Sequence, residues 1–515
     1  MAPRPARPAA GRLDPVEWLV GRPGGPAACD AAGVGGDAPG ERRDWALVVA
    51  ICVPVAVLSI DFAGVVVALP AIGTDLDVDR GLLGWVVSAF ALGSAAPLIV
   101  AGRVADTAGR RRLLLAGLWC FLVGTVACLA APDFGVLVGG RLVQGVGMAL
   151  FMTASLGALS TGTVEPFRTR AVGVWSAVGG LALAVGPLVG GVLTDLGSWR
   201  YFFLADLPPL LIALVLVHRS VHDAQGAPGA QAERRALDRR AAIAVTVAVA
   251  ALTFAVQTVG TQGWLAPATL GAAGLAVVGA AVFAHRERRP DPPPVVDPVL
   301  WRHRSFWLPV TVALLANVGF GALQFLLTLA LQDVAGWTAL EAGAAFLLYS
   351  VPFAAVGLGI GRITRRLGER WALVVGQLLI ALSFGAVAVL AGSSEVTAAL
   401  VGLAISGLGQ GLAFTLTTST SLAAAPAEDA SVASGLLTTL RNLGIVAGIT
   451  VSTLALDRFG GGVPDSVSAG AAASTAATAA FADGLRLAAL VLLAVSLAGA
   501  VVAAGVGASS RRVAP

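Results

Sequence analysis

Long apolar runs, separated by short polar breaks, fill almost the whole chain. They fall at about 45–69, 83–104, 112–131, 134–161, 171–195 and 200–218, then at 241–260, 266–285, 305–331, 340–362, 371–391, 396–423, 431–455 and 481–506. A helix needs about 20 apolar residues to cross a bilayer, and it satisfies its own backbone there. The pattern predicts an all-α polytopic membrane protein with fourteen spans. Four stretches break it. Residues 1–44 hold seven Pro and eight Gly with scattered charge and read as a flexible cytoplasmic tail. Residues 219–240 and 286–304 read as a polar linker and a polar loop, and 457–480 as a Gly/Ala/Ser/Thr-rich loop. Residues 507–515 read as a second tail. No apolar segment precedes the first run, so no signal peptide is expected.

Composition agrees with the pattern. The chain of 515 residues is 57% hydrophobic and 12% charged, with a mean hydropathy of +0.84, against about 45–50% apolar and about 25% charged in soluble domains. Every one of its 34 basic residues is Arg. The absence of Lys excludes a P-loop and a Schiff-base mechanism. The four Cys have neither metal nor disulfide spacing, so no metal site and no bound cofactor are expected.

Arg placement sets the orientation. With the N-terminus inside, twenty-eight Arg fall on inner segments and four, Arg80, Arg200, Arg458 and Arg486, on outer ones. Both termini are then cytoplasmic. Positive charge is spread over inner loops, so the sequence pI of 9.3 carries no nucleic-acid signal. Arg141 and Arg441 lie within spans.

The chain also repeats itself. Gly102-Arg103-Val104 and Gly361-Arg362-Ile363 open similar loops 259 residues apart; Gly145 and Gly147 match Gly407 and Gly409, and Gly186 matches Gly448, at an offset of 262. This gives an N-terminal six-helix half (45–218), two inserted peripheral helices (241–285) and a C-terminal six-helix half (305–506). Repeated halves with a site between them are a transporter architecture.

Several motifs carry a resemblance. The loop GRVADTAGRRRLLLAG at 102–117, with Gly102, Asp106, Gly109, Arg110 and Arg111, resembles the signature loop of the major facilitator superfamily. RLVQGVG at 141–147 matches a second motif, and GGLALAVGPLVGG at 179–191 resembles its antiporter motif, with Gly179, Gly186, Pro187, Gly190 and Gly191. Asp61 followed by ALP at 68–70, WRYFFLADLPP from Trp199, RERRPDPPP from Arg286 and PAEDASVASGLLTTLRNLG from Pro426 resemble the fourteen-span drug/proton antiporter family. There are departures: Ala63 and Val66 replace the usual Thr and Asn after the span-1 Asp, and Asp206 replaces an Asn. Arg365 stands where the first loop copy has Asp106, and Arg441 sits where some relatives carry a carboxylate.

The resemblance implies a major facilitator fold and a proton-coupled antiporter exporting amphipathic or cationic compounds across the cytoplasmic membrane. Its partners would be a small organic substrate, protons and lipid; the proton gradient would be the energy source, and a monomer is expected. A specific metabolite exporter or symporter, or a sensor that no longer transports, remains an alternative; no enzyme is expected.

An ionised Asp61 at a helix centre would cost about 2.5–3.5 kcal/mol, which argues for a partner, a cavity or a proton. Arg141, followed by Gln144, could bias that carboxyl or anchor span 4. Asp206 could pair with Arg200 or form a second titrating site. Arg441 could be a cavity counterpart or an anchor. Asp106 with Arg110 and Arg111 reads as an inner latch. Asn317, Gln324, Gln332, Gln377 and Gln410, and the rings of Trp85, Phe90, Trp175, Phe320 and Phe325, could face substrate or neighbouring helices.

Overall fold

A computed structural model describes residues 39–163, 167–221, 238–289, 303–391, 395–425, 430–458 and 471–506, with Val296 and Leu300; a few side chains within these helices, including 102–108, lie outside the described set. The order is α1 (Pro39–Asp75), α2 (Arg80–Ala108), α3 (Arg110–Leu129), α4 (Phe134–Gly162), α5 (Phe167–Asp195), α6 (Arg200–Ser220), α7 (Arg239–Gln262) and α8 (Pro267–Glu287). It continues with α9 (Arg304–Leu329), extended by a π turn at Ala330–Val334, then α10 (Ala339–Ala345), α11 (Leu347–Leu390), α12 (Glu395–Ala423), α13 (Ala430–Arg458) and α14 (Ala471–Gly505). The described residues from Arg43 onward form one compact unit.

Local chemistry sets the helix ends. Asp133 accepts from the Val136 N–H at 3.0 Å and starts α4. Asp238 accepts from Arg240 N–H and Ala241 N–H to start α7. Thr338 and Glu341 cap each other's backbone at α10. Gly109 (φ 97°) turns the chain between α2 and α3, and Gly368 (φ 76°) breaks α11 into two helices. Both need a left-handed backbone that favours glycine, and they stand 259 residues apart.

Among the described residues, twelve helical segments are long and apolar enough to cross a membrane. The expected fourteen are not reached for two reasons. Ala339–Leu390 counts as one 52-residue segment although it turns at Gly368, and α2 contributes only the shorter apolar stretch Gly81–Ala95 because its later side chains lie outside the described set.

Helices α1–α6 pack among themselves, and so do α9–α14. Equivalent glycines make equivalent crossings: Gly145 meets Phe90 of α2 and Gly407 meets Tyr349 of α11; Gly186 meets Ala63 and Gly64 of α1, and Gly448 meets Val318 and Ala322 of α9. The two groups meet through α2 against α13 and α5 against α10 and α11.

Of the inserted pair, α7 touches both helix groups while Ile243, Leu252 and Phe254 on it stay exposed. This helix lies against both α2 and α13. Ser88 Oγ donates to Gln257 Oε1 at 2.7 Å, and Thr450 Oγ1 donates to the Val256 carbonyl at 3.0 Å. Gln257, Gly260 and Thr261 share one side of α7, and a lipid-facing amide would go unpaired. Helix α8, largely exposed, packs on α7.

Candidate functional site

Asp61 sits near the middle of α1 with no exposed surface, and Arg141 and Gln144 of α4 are equally buried beside it. Arg141 and Gln144 are three residues apart, so one helical face presents both. Arg141 Nη1 donates to Asp61 Oδ2 at 2.5 Å and to Gln144 Oε1 at 2.8 Å, while its Nε donates to the Val86 carbonyl at 3.1 Å. Gln144 Nε2 returns to Asp61 Oδ1 at 3.3 Å and to Thr125 Oγ1 at 2.9 Å. The guanidinium lies 4.3 Å from the centre of the Phe90 ring, a cation–π contact. Gly140 and Gly147 let α4 close on α3; a Cβ at either would strike α3. The structure thus gives Asp61 the partner its burial requires, and Arg141 is no interfacial anchor.

Asp206 of α6 is buried, and its carboxyl lies beside that of Asp61. It does not pair with Arg200, which instead binds Asp75 and the Ala131 carbonyl. Asp206 Oδ2 and Arg141 Nη2 have no partner. Two carboxyls side by side away from water are more stable with one proton between them than with both ionised. One guanidinium, one carboxylate and one carboxylic acid sum to zero, which suits a dry interior. This arrangement can hold one proton and release it when its surroundings change.

Arg441 is not part of this cluster. Its Nη2 donates to the Phe414 carbonyl and to the hydroxyls of Thr417 and Thr418 at 2.9, 2.9 and 2.7 Å, with Phe414's ring 4.1 Å away. Its neighbour Asn442 donates to Ser94 Oγ across the two helix groups at 2.8 Å.

The glycines of α5 divide by position. Gly186 and Gly190 press on α1 around Gly64; Gly191 presses on Ala339, and the Pro187 carbonyl on Gly343, both of α10; Gly179 has room beside Val55. At the Arg-poor end of the bundle, Asp195 closes α5 by accepting from the N–H groups of Ala339 and Leu340 at 3.2 and 3.0 Å, capping α10 from the other group. At the Arg-rich end, Gly102 and Asp106 belong to the stretch whose side chains lie outside the described residues. There Arg110 lies across Gly157, and Arg111 Nη2 donates to the His218 carbonyl at 3.0 Å.

A narrow apolar cleft opens between the groups, walled by Phe62 of α1, Val87 of α2, Phe320 and Phe325 of α9 and Ile445 of α13. Phe62 also touches Phe90, ring centres 5.5 Å apart, so the cleft and the charge cluster share a wall. Asn317, Gln332, Gln377 and Gln410 each donate to a backbone carbonyl, and Trp85 packs on Phe254 while Trp175 donates to Ser155. Sequence reasoning missed Thr125, Val86 and Asp195. Thr125 had a weak signal, as a hydroxyl inside an apolar run; Val86 acts through its backbone and had none.

A family model for the Major Facilitator Superfamily matches residues 51–449. The chain is 33% identical to "Multidrug resistance protein Stp" of Mycobacterium tuberculosis over 75% of this chain and 71% of that one. It is 30% identical to "Methylenomycin A resistance protein" of Streptomyces coelicolor over 81% and 87%. Among solved structures it resembles a POT family transporter in complex with 5-aminolevulinic acid (TM-score 0.64, 15% identity, 90% of this chain and 97% of that one), a likeness of fold alone. The motif-bearing helices, the glycine crossings and these matches together make the chain a member of the major facilitator superfamily.

Proposed function

We propose that the protein is a proton-coupled antiporter that exports amphipathic or cationic organic compounds across the cytoplasmic membrane. Relatives named for multidrug resistance and for methylenomycin A resistance support the substrate class. The observation that carries the coupling is the buried cluster of Asp61, Arg141, Gln144 and Asp206. We infer fourteen spans, counting α2 as one and α11 as parts of two, arranged as two six-helix halves (α1–α6 and α9–α14) with α7 and α8 inserted, both termini cytoplasmic, acting as a monomer with no cofactor.

Protonation of Asp61 removes the charge that holds Arg141, so the α1–α4 contact weakens and the helices gain freedom to move. Loss of the proton restores the pair. A step that changes water access to Asp61 therefore changes which packing is favoured. The Arg-poor end, tied by Asp195 to α10, would face outward, so substrate would enter the cleft from the cytoplasm. Asp106, Arg110 and Arg111 would then serve as the inner latch, and the α5 glycines as the sliding surface against α1 and α10.

The test is transport by Asp61→Asn in vesicles with an imposed pH gradient. The variant should remain folded in the membrane and lose pH-driven efflux. Undiminished proton-dependent efflux would remove Asp61 from the coupling role.

A further inference from the structure

Among the described residues, several buried polar atoms lack a hydrogen-bond partner, including Gln257 Nε2, Thr328 Oγ1, Gln377 Oε1 and Gln324 Oε1, and of these four residues Gln324 lines the cleft. Four of the five amides singled out in the later helices donate to backbone carbonyls. Gln324 is the exception. It is 8% exposed, lines the cleft between α1 and α9, and its Oε1 has no hydrogen-bond partner. The rest of the cleft wall consists of Phe, Val, Ile and Gly. Among the described residues its wall holds no carboxylate, and Asp61 faces Arg141 and Gln144 instead.

An unpaired buried acceptor costs about 1–3 kcal/mol, and an amide among aromatic rings has no water-rich surface to turn to. A ligand that brings an N–H or O–H to this point removes the cost. A permanent cation entering the same cleft would leave water and meet no counter-charge.

We propose that Gln324 is the specificity-determining residue of the cleft, and that the preferred substrate is a flat, uncharged aromatic compound with a hydrogen-bond donor near its middle rather than a permanent cation. This rests on the export reading above and narrows its substrate class. The cleft is narrow here, and its walls belong to both helix groups, so it widens as they part. Phe62, Phe320 and Phe325 then offer ring faces to a planar ligand, with Gln324 Oε1 as its one polar contact. Charge discrimination would come from the absence of an acid in the wall, and donor discrimination from the orphaned oxygen.

Three tricyclic probes of nearly one shape separate these effects: acridone, neutral with an N–H; N-methylacridone, neutral without it; and N-methylacridinium, a permanent cation. Their binding to the full-length purified protein is read by fluorescence titration. Acridone should bind about tenfold tighter than either other probe. Gln324→Leu should bring acridone down to the level of N-methylacridone and leave N-methylacridone unchanged. Gln324→Glu should gain about tenfold for N-methylacridinium above pH 8, a reversal that simple misfolding cannot produce. Equal binding of acridone and N-methylacridinium by the native protein, no acridone binding at all, or an acridone affinity unmoved by Gln324→Leu would each overturn the assignment. The export reading is scored separately, by pH-driven efflux of any compound in vesicles, and it survives all three of those results.

Discussion

The two buried arginines of the membrane interior are held in opposite ways. Arg141 faces a carboxylate and an amide, and its charge is cancelled by Asp61. Arg441 faces a carbonyl and two hydroxyls through its Nη2, its Nε has no partner, and among the described residues no acid pairs with its charge. Thr417 and Thr418 also donate to carbonyls of their own helix, so they lose nothing essential if Arg441 is removed. A hydrogen-bonded cation is a fixed feature, whereas an ion pair can be opened and closed by one proton. Under the proposed function, proton coupling belongs to the α1–α6 group and Arg441 has a structural role.

The sharpest break is Arg141→Leu. Stripping one partner from a buried pair costs about 3–5 kcal/mol, so thermal unfolding in detergent should occur at markedly lower temperature and pH-driven efflux should vanish. Adding Asp61→Asn to that variant should recover much of the unfolding temperature and none of the efflux. Arg441→Leu, by contrast, should cost about 1–3 kcal/mol and keep the pH midpoint of efflux where it is in the native protein; a shifted midpoint would make the two arginines functional equals.

A smaller effect belongs to the Arg-poor end. Asp195→Ala removes the cap on α10, and such caps contribute about 0.5–2 kcal/mol. The population open at that end should rise a few-fold, measurable from spin-label distances between the ends of α5 and α10. The smallest effect lies outside the spans. Arg286 beside Asp238, with the Ala241 and Arg240 N–H groups, holds that carboxyl below its ordinary value. A depressed pKa stabilises the fold above the unfolded-state value near 3.9 and loses that contribution as pH falls through the folded one. Asp238→Asn should therefore lower stability at neutral pH by less than about 1 kcal/mol, and the gap should close below about pH 4.

The helical spans were legible because apolar length is a one-dimensional property, and Gly109 was legible because the loop motif carries a glycine where the chain takes its positive-φ turn. Asp61 stood out as an acid at a helix centre, and Arg141 and Arg441 as arginines that orientation could not explain. The pairing of Asp61 with Arg141, across 80 residues, was not legible, since no local period links α1 to α4. Asp206 was ambiguous for the same reason: its sequence neighbour Arg200 looked like the partner, but Asp75 took that role and left Asp206 facing inward. The seat of α7 between α2 and α13 depended on Ser88 and Thr450, residues that mean little until the helices are packed. Gln324 was one of five similar amides, and only the full set of hydrogen bonds distinguishes it.

Proton release on substrate binding tests the coupling most directly. Acridone added to the purified native protein in weakly buffered detergent near neutral pH should release about one proton per bound ligand, because filling the cleft shifts the helix packing that holds the proton between Asp61 and Asp206. The Asp61→Asn, Asp206→Asn double variant should bind and release none. Proton release that persists in the double variant would contradict the assignment of coupling to this pair.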